Sequence, residues 1–192
     1  MSYAIFGGSF DPVHLGHLFI ADEVIHAFGY ERVVFVPAYQ APHKNDRPSA
    51  AEEDRLAMLQ AAVADRPEFE IDEYELEQRE VSYTINTIRH LQTRYPDEPR
   101  PGLIIGDDLT HGFATWREAD KLPQLVDILV AYRQGEIDTS QIGRYRRIDN
   151  APLPVSSSEI RARIRGGRNF RYLVPDTVHA MITAQSLYRE VR

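Results

Sequence analysis

Short apolar runs that alternate with helical segments are the feature that most constrains the fold of this chain. Residues 3–6, 32–36, 103–105 and 128–132 are almost continuously apolar, and residues 68–72 form a further strand-like run. Residues 15–28 instead carry apolar side chains at helical spacing. Continuously apolar strands separated by helices are typical of a parallel sheet covered on both faces. The sequence therefore predicts an α/β fold with a doubly wound parallel sheet.

Local signals predict where the helices begin and end. Gly29 suits the end of the first helix, and Ser49 with Glu52 has the pattern of a capping box that opens a helix toward residue 63. Another helix is predicted from residue 82 or 83 to before Pro96. Two helices close the chain, one from about residue 156 to the Gly166–Gly167 pair and one directly after Pro175. Residues 135–154 have the least regular pattern, which predicts an exposed excursion.

Length and composition narrow the class of protein. A chain of 192 residues favours one domain spanning 1–192, with the helical part at about 155–192 belonging to it. The absence of cysteine excludes disulfides and thiolate metal sites. A formal net charge of −7 argues against a nucleic-acid partner, and no apolar run is long enough to predict a membrane span. Because the N-terminus shows no basic leader, we expect a cytoplasmic protein.

The turn after the first strand carries the strongest functional signal. In a doubly wound sheet, ligands bind at the carboxyl ends of strands, and here the strand ends at Gly7–Gly8. His14 and His17 are three residues apart, so on a helix both could reach one phosphate chain. The turn has neither Gly-x-Gly-x-x-Gly nor Gly-Lys-Ser/Thr, which argues against a nicotinamide-dependent dehydrogenase and the usual phosphate loop. The spacing alone leaves two alternatives: a zinc site completed by Asp11 or His43, and histidines that only cap or pack the helix.

Three further stretches are candidates for the same site. Ser156, Ser157 and Ser158 precede Arg161 by a turn or so of helix, an arrangement that suits an anion site or a helix cap. Arginines concentrated between residues 144 and 171 suggest a small anionic ligand or a solvated face. The single tryptophan, Trp116, either packs in the core or stacks on a heteroaromatic ring.

The sequence Gly-Gly-Ser-Phe-Asp-Pro-Val-His-Leu-Gly-His at 7–17 resembles the signature of the nucleotidyltransferases related to class I aminoacyl-tRNA synthetases. Residues 155–161 resemble the second motif of that superfamily, late in the chain as expected. The resemblance implies a Rossmann-like nucleotidyltransferase fold with C-terminal helices that complete the ATP site. It implies His14, His17 and Arg161 as catalytic residues. The ATP-binding residues that it implies are Gly7, Gly8, Ser9, Phe10, His14, His17, Gly106, Asp108, Arg133, Ser156, Ser157, Ser158 and Arg161.

Residues outside these two motifs resemble the bacterial nicotinate-nucleotide adenylyltransferases over nearly the whole chain. That branch joins ATP and nicotinate mononucleotide to give nicotinate adenine dinucleotide and pyrophosphate, in NAD biosynthesis. The resemblance implies Mg²⁺ held through the phosphates, with no metal ligand from protein side chains. The residues that it implies for the mononucleotide are Lys44, Tyr83, Thr84, Ile85, Asp108 and Trp116. Departures from the pattern of the family stand at Asn86, Arg117 and Gln134.

Other functions compete with this hypothesis. A sister transferase would use nicotinamide mononucleotide or phosphopantetheine as the acceptor. A non-catalytic sensor would bind ATP without releasing pyrophosphate, and a metal-dependent hydrolase would contain bound zinc. The expected partners are the small molecules ATP and nicotinate mononucleotide, and the sequence leaves a homo-oligomer open.

Overall fold

The computed structural model describes residues 2–42, 48–132 and 137–189, which contain a six-stranded sheet. The sheet has the order β3-β2-β1-β4-β5-β6, and every neighbouring pair is parallel. The doubly wound parallel sheet predicted from the sequence is confirmed. The strands are β1 (Tyr3–Gly8), β2 (Arg32–Pro37), β3 (Phe69–Ile71), β4 (Gly102–Gly106), β5 (Asp127–Ala131) and β6 (Tyr145–Ile148).

Helices connect the strands and cover both faces of the sheet. The prediction for α1 is confirmed to the residue, and Gly29 ends it in the left-handed conformation, with φ +71°. A 3₁₀ helix at Asp107–Thr115 directly follows β4, and a short one at Arg171–Leu173 precedes the last α-helix. The α-helices are α1 (Leu15–Phe28), α2 (Glu52–Val63), α3 (Tyr74–Gln78), α4 (Thr84–Arg94), α5 (Leu122–Leu125), α6 (Thr139–Ile142), α7 (Ser157–Arg165) and α8 (Asp176–Ala184).

Alternate side chains of the strands enter two separate apolar layers. Ala4 and Phe6 of β1 face the layer built by α1, α2, α7 and α8, whereas Tyr3 and Ile5 face the layer built mainly by α4. Both faces of the strands are therefore buried, which explains why their sequences are continuously apolar.

Two predictions about local structure are wrong. Residues 135–154 are not only an exposed excursion, because β6 within them adds the edge strand beside β5. Arg146 and Arg147 are exposed, and two adjacent arginines disguise this strand in the sequence. Ser49 and Glu52 do not form a capping box, because α2 begins at Glu52 after Ala51 and no side chain caps it.

Strand order reverses between β1 and β4, which are neighbours although two strands and several helices separate them along the chain. The connections from β1 and β4 leave toward opposite faces of the sheet, so a crevice opens at the carboxyl ends of these two strands. Within the described residues no helix is long and apolar enough to cross a membrane.

Candidate active site

A cavity of about 860 Å³ opens at the carboxyl ends of β1 and β4, where the strand order reverses. It is open to solvent along one side and reaches from α7 to the start of α4. The predicted site residues that line it are Gly7, Gly8, Ser9, Phe10, His14, His17, Tyr83, Thr84, Gly106, Asp108, Trp116, Ser156, Ser157, Ser158 and Arg161. Segments distant in sequence therefore meet around one cavity.

The turn after β1 holds the two histidines in a fixed arrangement. His14 is the N-cap residue directly before α1, and its backbone N–H donates to Nδ1 of His17 at 3.2 Å. The two imidazoles stack, with ring centroids 3.6 Å apart. Because Nδ1 of His17 accepts this bond, the neutral ring carries its hydrogen on Nε2, the atom then able to donate to an anion. Phe10 lies edge-on to the same ring at 5.0 Å and has a left-handed φ of +44°, a strained conformation for a side chain of this size.

Asp11 connects this turn to two other parts of the chain. Its carboxylate is 3% exposed and accepts the backbone N–H groups of Ser49 and Ala50 at 2.7 and 3.1 Å. Arg161 of α7 lies 3.6 Å from the same carboxylate and donates to the backbone carbonyl of Asp11 at 2.6 Å. Asp11 therefore anchors the chain just before α2, and Ser49, which was predicted to cap this helix, instead donates its own N–H to that carboxylate.

Arg55 supports the turn from inside the protein. It is 1% exposed, and its Nη1 donates to the carbonyl oxygens of Ser9 and Ala38 at 2.7 and 2.8 Å. Burial lowers the pKa of this guanidinium, while the nearby Asp11 carboxylate raises it. The bonds from Arg55 hold the ends of β1 and β2 together below the cavity.

The start of α7 joins the opposite side of the turn. Ser156 accepts the N–H of Glu159 at 3.2 Å, so this serine caps the helix as the sequence suggested. Ser157 donates to the carbonyl of Pro12 at 2.9 Å, and Arg161 donates to the hydroxyl of Ser158 at 3.3 Å. The hydroxyls, the first amides of α7 and one guanidinium thus face the cavity beside the histidines.

Aromatic and hydroxyl side chains form the other end of the cavity. Tyr83 and Thr84 begin α4, and Trp116 follows the 3₁₀ helix, with its ring 5.1 Å from that of Phe113. Ser82 accepts the N–H of Tyr39 at 3.1 Å, which attaches this end to the loop after β2. A flat aromatic wall beside hydroxyl groups suits a heteroaromatic ring that carries a polar substituent.

Glu75 is a buried carboxyl group at this end that the sequence did not reveal. It lines the cavity, accepts a hydrogen bond from the hydroxyl of Thr87 and is only 8% exposed. Burial raises its pKa, and hydrogen bonds from Thr87 and Ser82 oppose that rise. A charge on Glu75 at neutral pH is therefore costly.

One predicted residue does not line the cavity, and two others lie outside the described residues. Ile85 is fully buried in the apolar layer with Ile88 and Leu91 and does not line it. Lys44 and Arg133 lie outside the described residues, as does Gln134. Of the eight arginines between residues 144 and 171, only Arg161 lines the cavity.

The described residues give little support for a metal site made by the protein alone. No three histidines or carboxylates among residues 2–42, 48–132 and 137–189 lie close enough together to hold a metal ion. Asp11, Glu75 and Asp108 are the carboxylates that line the cavity in these ranges, and Asp108 is the exposed one.

Comparison with known proteins agrees with this geometry. The profile of the Cytidylyltransferase-like family matches residues 5–163. A "Probable nicotinate-nucleotide adenylyltransferase" of Symbiobacterium thermophilum is 40% identical over 96% of this chain and 94% of its own length. A protein of the same name from Salinibacter ruber is 39% identical over 98% of each chain.

The chain belongs to the nicotinate-nucleotide adenylyltransferase family. The family uses ATP, and the described fold agrees with this membership. A solved structure of Plasmodium falciparum nicotinic acid mononucleotide adenylyltransferase complexed with NaAD superposes with a TM-score of 0.80. It covers 97% of each chain at 21% identity, so this likeness concerns the fold.

The hydrogen bonds of Asp11 predict a specific loss of stability. Asp11→Asn keeps one acceptor oxygen, so one of the two N–H groups that it binds is left without a partner. We expect the free energy of unfolding to fall by about 1–3 kcal/mol, measured by urea denaturation. The matched control is Asp22→Asn, which breaks a partly exposed pair with Arg66 and costs about 1 kcal/mol or less. Equal stability of the two variants would contradict this role.

The buried carboxyl of Glu75 predicts a pH-dependent gain of stability on substitution. Its pKa is higher in the folded chain than the ordinary value of 4.5, so the folded state binds more protons above that pH. The free energy of unfolding of the parent protein therefore falls as pH rises through this window. The neutral Glu75→Gln variant avoids the penalty, and its advantage over the parent should grow as the pH rises above 4.5, within a range sampled from about pH 4 to about pH 8.

Urea denaturation across this pH range measures the difference. Glu77→Gln is the control, because Glu77 lies exposed on the same helix, and we expect it to follow the parent. A Glu75→Gln variant that is less stable than the parent at about pH 8 would refute the proposed penalty.

Proposed function

We propose that the chain transfers the adenylyl group of ATP to nicotinate mononucleotide, giving nicotinate adenine dinucleotide and pyrophosphate. The observation that carries the proposal is the single cavity lined at one end by His14, His17 and Arg161 and at the other by Tyr83 and Trp116. The first end suits a triphosphate and the second a pyridine ring. Membership in the nicotinate-nucleotide adenylyltransferase family supports the same reaction.

The reaction needs alignment and charge neutralisation more than acid–base chemistry. An oxygen of the acceptor phosphate attacks the α-phosphorus of ATP in line, the new P–O bond forms, and the bond to the β-phosphate breaks. Because the attacking phosphate is already anionic, no general base and no covalent nucleophile are required. Catalysis then depends on groups that face the charge developing on the leaving pyrophosphate.

The histidines and the start of α7 are the groups that we assign to this charge. His14 and His17 would face the bridging and leaving phosphates, with Nε2–H of His17 as donor. Arg161, Ser157 and Ser158 would bind the β- and γ-phosphates. The backbone of the turn, at its glycines, Ser9 and Phe10, would line the path of the nucleotide. Ser156 would cap α7, whose first amides would also face the phosphates. Gly106 and Asp108 would lie near the ribose.

The residues present fit a Mg²⁺ ion that is bound mainly through phosphate oxygens. Asp11 is engaged with two N–H groups and Glu75 with Thr87, which leaves Asp108 as the exposed carboxylate of the described cavity. Mg²⁺ commonly keeps several waters and borrows oxygens from substrate phosphates. When bound, the ion would neutralise phosphate charge.

Pyrophosphate release tests the acceptor directly. The full chain with ATP and Mg²⁺ is given nicotinate mononucleotide, nicotinamide mononucleotide or phosphopantetheine in separate reactions, and the nucleotide products are separated. We expect the fastest release with nicotinate mononucleotide and none with phosphopantetheine. ATP binding without pyrophosphate release would favour the sensor, and stoichiometric bound zinc would favour the hydrolase; either result contradicts the proposal.

Removing the donor on His17 tests the assignment of the phosphate end. We expect His17→Ala to lower turnover by about 10²–10³, the usual cost of losing one charge-stabilising donor. His26→Ala is the matched control on the same helix, since His26 is exposed and its ring contacts Asp22, one turn earlier on α1 and away from the cavity. Near-parental turnover of a folded His17→Ala variant, with folding verified by circular dichroism, would refute the assignment.

A further inference from the structure

Arg117 occupies the rim of the aromatic end of the cavity. It follows Trp116 directly and lines both the main cavity and a neighbouring groove formed by Tyr39, Arg79 and Asn86. Its guanidinium carbon lies 4.8 Å from the centroid of the Tyr83 ring. Stacking on that ring fixes the plane of the guanidinium and leaves its N–H edge available to a ligand.

The charge of Arg117 is not neutralised by a carboxylate in the described part of the chain. No aspartate or glutamate oxygen there lies within ion-pair distance of its guanidinium. Glu118, the next residue, instead binds Arg89 at 2.8 Å and Lys121 at 2.7 Å. The acid next to Arg117 in sequence is thus held by two other cations, and Glu80, which lines the neighbouring groove with Arg117, forms no ion pair with it in the described part of the chain.

We propose that the Arg117 side chain selects the acceptor by favouring a carboxylate on the pyridine ring over a carboxamide. The inference rests on the proposed function, in which Tyr83 and Trp116 receive that ring. Nicotinate and nicotinamide mononucleotides differ only in this substituent, which is anionic in one and neutral in the other. A fixed cation at the rim attracts the first and gains no charge–charge attraction from the second.

A second anion on the acceptor offers a competing role for Arg117. The 5′-phosphate is present in both mononucleotides, so an arginine that bound phosphate would assist them equally. The proximity of Arg117 to both aromatic side chains favours the ring substituent. The ratio of the two specificity constants therefore separates these roles.

The test compares kcat/KM for the two mononucleotides, with ATP and Mg²⁺, in the full-length parent, Arg117→Gln and Arg117→Lys. We expect Arg117→Gln to lower kcat/KM for nicotinate mononucleotide about three- to tenfold, as suits a partly exposed charge, and to change that for the nicotinamide form by less than about twofold. Arg117→Lys keeps the charge but loses the planar, forked guanidinium, so its kcat/KM for nicotinate mononucleotide should lie between those of the parent and Arg117→Gln.

Arg79→Gln is the matched control. It removes the same charge from the neighbouring groove but not from the main cavity, so the ratio should stay at the parental value. The preference of the parent for nicotinate over nicotinamide mononucleotide should also weaken as the ionic strength is raised, whereas the preference of Arg117→Gln should change less.

Two results would overturn the inference: an equal loss for both mononucleotides in Arg117→Gln, and an unchanged ratio. Failure of the proposed function gives a different result, because the parent itself would then form no dinucleotide from nicotinate mononucleotide.

Discussion

The buried carboxylate of Asp11 is the interaction on which the arrangement of the cavity depends. A carboxylate this far from water is stable only when donors surround it, and the donors come from the chain before α2 and from α7. The turn between β1 and α1 can therefore take its form only when these two distant segments are also in place. Arg55 adds the same coupling from below, because it donates to carbonyls at the ends of two neighbouring strands. The end of the cavity that is lined by His14, His17 and Arg161 is thus part of the cooperative core of the protein.

Much of the fold could be predicted from the sequence, because burial on both faces leaves a plain signal. The four apolar strands, α1 and α4 follow from apolar periodicity and from turn residues at their ends. Strand β6 could not be predicted, since an edge strand needs only one partner and can present arginines to solvent. Helix α3 has five residues, too few to establish a helical period. The supposed capping box shows a further limit: a serine pattern near a helix does not reveal an acceptor 38 residues away.

The residues of the candidate site likewise divide into those that the sequence predicts and those that it does not. The resemblance of residues 7–17 and 155–161 to two motifs of one superfamily implied a shared site, and in the structure both segments stand at the start of a helix and line the same cavity. Arg55 and Glu75 carried no signal, since one arginine or glutamate on an amphipathic helix is normally solvated. Their function depends on which carbonyls and hydroxyls the tertiary structure brings to them. Ile85 shows the converse: a residue adjacent to the cavity-lining Thr84 points into the core, as the helical period requires.

The two ends of the cavity differ in how freely they can vary. At the end lined by the histidines and α7, Asp11 and Arg55 are buried and bonded to backbone groups, so a substitution of either residue costs stability. At the other end, Arg117 is exposed, rests on one aromatic ring and has no bonded acid within the described residues, so its replacement costs the fold little. The buried residues around the first turn are therefore constrained by folding, whereas the role proposed for Arg117 is constrained mainly by recognition. A change in acceptor preference is therefore to be sought first at the rim of the cavity, where a substitution leaves the fold intact.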